Sequence, residues 1–254
     1  MGSAPRVAIV TGASRELGAE MAVALARTGV AVVIAHHGEV TLARDVAARI
    51  RAAGGVAHPF DASLATVEAN RALVDFAVQE LGRVDVFVAN AGLTRWSPFL
   101  ETDEQTWDAV VDLNLKGSYF GAQAAARTMV AQGDGGRIVF SSSVTGMVAA
   151  GNLSAYSVTK AGLAHMARVL AVELGPHGIT VNALAIGATV NERNLEDDPD
   201  YAEHWAGVIP TGRVGSPHDV AAALLYLVSP DAAMINGHTL VVDGGWTAIG
   251  DLPG

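Results

Sequence analysis

Tyr156 and Lys160 stand four residues apart in a stretch of helical period, so their side chains share one helix face. A free phenol, with a pKa near 10, is a poor base at neutral pH, but a nearby ammonium favours the phenolate. Such a pair can take an alcohol's proton and return it. Three serines, Ser141, Ser142 and Ser143, close an apolar run shortly before it. A hydroxyl at such a strand end can hydrogen-bond a substrate oxygen and share developing alkoxide charge. A second chemistry-bearing stretch lies near the N-terminus. There an apolar run ending at Val10 passes through Thr11-Gly12-Ala13-Ser14-Arg15-Glu16-Leu17-Gly18 into a helical pattern. A glycine-containing turn between strand and helix aims backbone N–H groups at an anion such as a pyrophosphate. Taken singly, each feature also has a plain structural reading, as an exposed Tyr and Lys or a common connection.

The elements that must position these residues follow from periodicity. Apolar, β-branched runs at 6–10, 31–35, 57–60, 84–89, 137–141, 180–185 and 239–242 read as strands buried on both faces, as in a parallel sheet. Between them, 17–27, 40–52, 64–81, 105–131, 155–174 and 217–227 read as helices; in the fifth, Leu163, Met166, Val169 and Leu170 recur at three- and four-residue steps. This alternation predicts an α/β fold, a doubly wound parallel sheet of about seven strands with helices on both faces, as one Rossmann-type domain over 1–254. The acidic segment 191–201 interrupts the rhythm and reads as a mobile loop.

Composition narrows the partners. Of 254 residues, 50% are hydrophobic and 17% charged, with 28 glycines and no cysteine. Disorder is excluded, as are disulfides, thiolate metal sites and a Cys nucleophile. A formal net charge of −10 argues against nucleic acid or an anionic membrane as partner. The first residues lack signal-peptide order, and the uncharged stretch 138–159 is broken by Gly, Ser, Thr and Asn. A cytoplasmic location without membrane insertion is the expectation.

The turn Thr11-Gly12-x-x-x-Glu16-x-Gly18 resembles the signature of the short-chain dehydrogenase/reductase family. Asp61, Asn90-Ala91-Gly92, Asn114, Ser143, Tyr156-x-x-x-Lys160, Asn182 and Val242-Asp243-Gly244-Gly245 match the same family in order and spacing, over essentially the whole chain. The resemblance implies hydride transfer between a nicotinamide and an alcohol or carbonyl carbon. It selects Ser143 among the three serines and makes Asn114, Ser143, Tyr156 and Lys160 the catalytic set, with Asn114 holding a water that links Lys160 to solvent. Asparagine's mediocre helix propensity fits a polar role for Asn114; a buried Asn at a helix kink is compatible with it. For the cofactor the resemblance points to Gly12, Ser14, Arg15, Glu16 and Leu17 in the first turn. It adds His36 and His37 at the end of the second strand, Asp61 and Ala62 at the adenine, Asn90, Ala91 and Gly92 at the ribose side, and Ile186 and Thr189 at the carboxamide, with Tyr156 and Lys160 also touching the cofactor. Relatives usually have Pro-Gly where Ile186-Gly187 stands.

One position departs from the pattern: the family's middle glycine is Glu16. Either Glu16 turns outward or pairs with Arg15, or it weakens cofactor affinity or contacts substrate. At the end of the second strand an acid would bind the ribose hydroxyls and repel a 2′-phosphate; His36-His37-Gly38 stands there instead. With Arg15 this favours NADP(H), while Glu39 keeps NAD(H) open. Adjacent histidines rarely converge on one ion, so no metal is expected.

Substrate contacts are expected from 94–99, 144–153 and a loop over about 188–212. These segments carry Arg95, Trp96, Thr145, Asn152, Asn191, Arg193 and Trp205 beside Ser143. Hydrogen-bonding groups mixed with tryptophan suit a polyhydroxylated substrate rather than an acyl chain. The loop Asn191-Glu192-Arg193-Asn194-Leu195 resembles that of bacterial aldose 1-dehydrogenases of the L-rhamnose or glucose type, which form a lactone. The alternatives are a carbonyl reductase of the 3-oxoacyl carrier-protein kind and a catalytically silent nicotinamide-sensing protein. The resemblance also implies a homotetramer built on the long central helices, with the tail 246–254 reaching toward a neighbour.

Overall fold

Seven strands, β1 (Val7–Thr11), β2 (Ala31–His36), β3 (Ala57–Asp61), β4 (Val86–Ala89), β5 (Gly136–Ser143), β6 (Ile179–Ile186) and β7 (Thr239–Val242), form one parallel sheet. Their order in this computed structural model, which describes residues 5–249, is β3-β2-β1-β4-β5-β6-β7. Residues 250–254 of the C-terminal tail lie outside the described residues, as do 1–4. Along β1 and β2 the side chains alternate between two cores: Ala8, Val10, Val32 and Ile34 face one, Ile9, Val33 and Ala35 the other. The first core packs under α1 (Glu16–Arg27), α2 (Val40–Ala52) and α9 (Pro217–Val228); the second packs under α3 (Val67–Leu81), α5 (Ser118–Gln132) and α6 (Ser154–Leu174). Burial of both faces is why the strands read as unbroken apolar runs.

Strand order reverses at β1, whose neighbours are β2 and β4, and the two crossovers leave in opposite directions. That opens a crevice at the carboxyl ends, where such sheets bind ligands. The seam is stitched by Thr11, whose Oγ1 accepts from Asn90 N (2.8 Å) and Ala91 N (2.9 Å).

Two readings of the sequence change. The helix expected over 105–131 is α4 (Glu104–Val111), a π-helical turn over Asp112–Gly117, and α5. Gly117 lets the turn pack closely on the segment before α3: a Cβ there would stand 2.3 Å from Leu64 O. A π-turn inserts one residue into the helical count, which a 3.6-residue pattern cannot register. The loop expected over 191–201 contains α7 (Glu192–Asp197), capped by Asn191 accepting from Asn194 N (2.8 Å), and leads into α8 (Tyr201–Ala206). Both helices are too short to declare a period.

The start of α9 carries a pH-sensitive cap. Ser216 and Asp219 form a capping box, and Arg213 makes two 2.8 Å hydrogen bonds to Asp219. The Arg213 guanidinium, helped by the Ser216 bonds and opposed by partial burial, holds this carboxyl well below the usual carboxylate range. A depressed acid stabilises the fold fully above its unfolded pKa, near 4, and loses that contribution as pH falls toward its folded value. Asp219→Asn is therefore expected to lower the Tm at pH 7 and to lose less Tm than the native chain between pH 5 and pH 3. Parallel Tm–pH curves for the two would contradict it.

Candidate active site

The crevice is a cavity of about 490 Å³ at the carboxyl ends of β1, β2, β4, β5 and β6. Its floor begins at the β1–α1 turn. Gly12, at φ +62°, lies so close to β4 that a Cβ would stand 2.9 Å from Ala91 Cα. Gly18 is tighter, because its Cβ would stand 2.0 Å from Gly12 O. Arg15, the N-cap of α1, makes no side-chain capping bond, so the first N–H groups of α1 remain for a ligand. A backbone cradle that side chains would fill, at an uncapped helix start, fits a dinucleotide's pyrophosphate.

Asn90 braces this cradle. Its Nδ2 donates to Thr11 O (3.0 Å) and Gly12 O (3.2 Å), and its Oδ1 accepts from Ser141 Oγ (3.1 Å). At the β2 end, His36 is buried with Nδ1 3.7 Å from Asp61 and without a hydrogen-bond partner among the described residues. His37 is exposed. Arg15 Nε lies 3.2 Å from Glu39, which also accepts from the Ser14 hydroxyl. Asp61 accepts from Gly38 N (2.9 Å), which pins the turn after β2, and it lies outside the cavity lining; Ala62 lines the cavity.

Ser143, Tyr156 and Lys160 come together on the opposite wall. Lys160 is buried on α6, and its ammonium donates to Ser141 O (2.7 Å) and sits 5.3 Å from the Tyr156 ring centre. The three serines divide their work. Ser141 holds Asn90 and Lys160, while Ser142 Oγ donates to Lys160 O (2.8 Å), seating α6 on β5. Ser143 Oγ accepts from Thr145 N (3.2 Å) and Thr145 Oγ1 (3.0 Å), and among the described residues no acceptor takes its own proton. It is the serine with a proton to offer a ligand. Thr145 thus orients Ser143 rather than lining the cavity.

Asn114 is fully buried in the π-turn. Its side chain accepts from Leu93 N (2.7 Å) and donates to Leu93 O (2.9 Å) and Thr159 Oγ1 (3.3 Å). It fixes the chain after Gly92, where an added Cβ would lie 3.4 Å from Asn114 Oδ1 and 3.5 Å from Lys160 Nζ.

The remaining wall is the loop after β6. Ile186, Thr189, Asn191 and Arg193 line the cavity, and so do Gly187, Asn194 and Tyr201. Arg95, Trp96, Asn152 and Trp205 do not. Trp96 is 66% exposed, Asn152 (φ +60°) accepts through its backbone from Ser97 N (2.8 Å), and Trp205 packs edge-on against Trp246 at 5.4 Å. Burial raises the Tyr201 phenol above its ordinary value, so Tyr201 is a neutral hydrogen-bonding group in the cavity at neutral pH. In the sequence it sits in an acidic segment that reads as a mobile loop, with no signal that singles it out.

The family model described as enoyl-(acyl carrier protein) reductase matches residues 12–247, nearly the full chain and every site residue above except Thr11. The chain belongs to the short-chain dehydrogenase/reductase family. It is thereby an NAD(P)-dependent oxidoreductase acting on CH–OH groups. Among similar proteins, an L-rhamnose 1-dehydrogenase (NAD(P)(+)) of Azotobacter vinelandii is 39% identical over 245 residues, covering 94% of this chain and 96% of that one. A 3-oxoacyl-(acyl-carrier-protein) reductase of Synechocystis is 39% identical over 243 residues, with 94% and 96% covered. The crystal structure of acetoin dehydrogenase from Enterobacter cloacae is similar with a TM-score of 0.91 and 31% identity, covering all of both chains. Glu16, where the sequence resemblance implies a glycine, keeps a glycine-like backbone, with φ +51°. No helix among the described residues is long and apolar enough to cross a membrane.

Proposed function

We propose that this chain oxidises an aldose at its anomeric carbon to the lactone. The observation that carries the reading is the polar lining that shares the cavity with Ser143 and Tyr156: Thr94, Asn191, Arg193, Asn194 and Tyr201 put polar side chains where an acyl chain would need an apolar slot. The similarity to an L-rhamnose 1-dehydrogenase supports the same class. A nicotinamide dinucleotide supplies the hydride chemistry when bound, held by the Gly12–Leu17 turn, Asn90–Gly92, Ile186 and Thr189. Tyr156 Oη takes the proton of the anomeric hydroxyl as general base. Ser143 Oγ donates a hydrogen bond to the same substrate oxygen and keeps it oriented. Lys160, fixed by Ser141 O, favours the phenolate form of Tyr156 that accepts this proton, and Asn114 holds the Leu93 and Thr159 segments on either side. Incubation with both dinucleotides and a panel of aldoses, with nicotinamide absorbance as readout, tests the reading. Turnover restricted to a 3-oxoacyl thioester would instead favour the carbonyl-reductase reading that the Synechocystis relative represents, and binding without turnover would favour a sensor.

NADP(H) is the preferred dinucleotide in this reading, with NAD(H) also accepted. His36 and His37, not an acid, close β2, and Arg15, now paired with Glu39, can exchange that partner for a 2′-phosphate. Glu39 limits that preference by competing for Arg15. Glu39→Gln is expected to raise the ratio of kcat/KM for NADP over NAD by about tenfold, the effect of one partly exposed charge contact. An unchanged ratio would remove Glu39 from cofactor choice.

The chain is further proposed to work as a homotetramer in the cytoplasm. Exposed apolar residues on the central helices, Trp107, Tyr119, Val158, Val169 and Val172, support self-association.

A further inference from the structure

The turn residue that departs from the family pattern is tied to the far end of the chain. The Glu16 carboxylate neither turns outward nor pairs with Arg15, which Glu39 holds. Its Oε1 accepts from Glu192 N at 2.9 Å, across a separation of 176 residues. Glu192 is the first residue of α7, and its N–H is one of the donors a helix start leaves unpaired. Asn191 covers the donor two residues on, so α7 is capped once from its own chain and once from across the cleft. The backbone of Glu16 sits in the left-handed region, which disfavours any residue with a Cβ. A side chain is therefore kept where glycine would fit with less strain, and it makes a contact glycine could not.

That contact has a consequence for charge. The permanent cations lining the cavity are Arg15, Lys160 and Arg193. Arg15 is engaged by Glu39 and Lys160 by Ser141 O. Arg193 follows Glu192 directly, so the bond from Glu16 also holds the third cation over the cleft. On its other side the segment is anchored to the body through the Thr189–Gly215 bridge and the Trp205–Trp246 contact.

We propose that Glu16 is a latch joining the phosphate-binding turn to the substrate loop, so that 190–206 opens when this bond breaks and dinucleotide release follows that opening. Glu16 is thus a positioning residue, acting on the ligand through α7 and Arg193. The coupling to release rests on the reading of the cleft as a dinucleotide site; the latch itself does not. A purely electrostatic role, with the carboxylate repelling a pyrophosphate, is the competing account, and two substitutions separate them. Glu16→Asp keeps the charge but is about 1.5 Å too short, and Asp is well tolerated in the left-handed region. Glu16→Gln keeps the reach and an acceptor oxygen but removes the charge.

The test is limited trypsin digestion of the native chain without ligand, with the cut after Arg193 mapped by mass, followed by stopped-flow release of reduced dinucleotide. Cleavage in this regime tracks the population of the open loop. Glu16→Asp is expected to cleave about fivefold faster, as for loss of one charge-assisted hydrogen bond at a partly exposed site, and to release dinucleotide faster by a similar factor. Glu16→Gln is expected to stay within twofold of the native cleavage rate. Native-rate cleavage of Glu16→Asp, or a loop opened equally in Glu16→Gln, would overturn the latch. Faster cleavage of Glu16→Asp with unchanged release would overturn the coupling. If the native chain binds no dinucleotide, the functional reading fails while the digestion still decides the latch.

Discussion

Tyr156→Phe is expected to lower kcat by about 10²–10⁴-fold, the usual worth of a positioned general acid or base, and to leave dinucleotide affinity within about twofold. Phenylalanine preserves the ring that lies 5.3 Å from the Lys160 ammonium and removes only the oxygen that handles the proton. Tyr156 is half-buried, and among the described residues its hydroxyl bonds no other protein group, so the fold loses little and the Tm is expected to move by no more than a few degrees. The split between kcat and binding is the diagnostic. A folded Tyr156→Phe with near-native turnover would remove Tyr156 from the proton step, whereas weakened dinucleotide binding would recast it as a binding residue.

Gly18→Ala is expected to act on the other half of the site. Its Cβ would stand 2.0 Å from Gly12 O and 2.8 Å from Asn90 Nδ2. The nearer atom is backbone in a turn held by Thr11 and Asn90 at once, so no side chain can swing aside to relieve the clash. Overpacking of this kind costs about 1–3 kcal/mol, or roughly 2–10 °C in Tm for a chain of this size. The larger effect is on binding. Displacing the turn by about an ångström misaligns the backbone donors meant for the pyrophosphate, and such misplacement can cost up to about 10²-fold. The KM for dinucleotide is expected to rise at least tenfold, with kcat at saturation less affected. An unchanged KM would mean that the phosphates are not held by this turn.

These two residues also show what kind of information the sequence carries. Tyr156 and Lys160 are legible because a fixed helical spacing puts them together whatever the rest of the chain does. Gly12 and Gly18 are legible because strand, turn and helix follow one another locally. The sheet is legible for a related reason: β1, β2 and β4–β6 are buried on both faces, so nearly every position must be apolar.

What stayed hidden depends on partners far along the chain. Nothing near Glu16 in sequence announces Glu192, and nothing near Asp61 announces that Gly38 N will take its carboxylate. The π-turn at Asn114 is invisible to a 3.6-residue period, although the poor helix propensity of asparagine marked the place. Tyr201 enters the cavity, and Trp205 leaves it for Trp246, because α7 and α8 fold the acidic segment back over the cleft. Trp96 and Arg95 share a loop with Thr94, but only Thr94 faces inward.

In the proposed reaction the hydride leaves the anomeric carbon of a sugar while Ser143 and Tyr156 act on its hydroxyl. Turnover of L-rhamnose deuterated at C1, with mass spectrometry of both products, tests this most directly. The account predicts that the deuterium is found on the reduced nicotinamide, that the sugar product is the lactone, and that neither forms with Tyr156→Phe at a comparable rate. Deuterium retained on the sugar, or no turnover with C1-deuterated L-rhamnose or any other aldose of the panel, would contradict it.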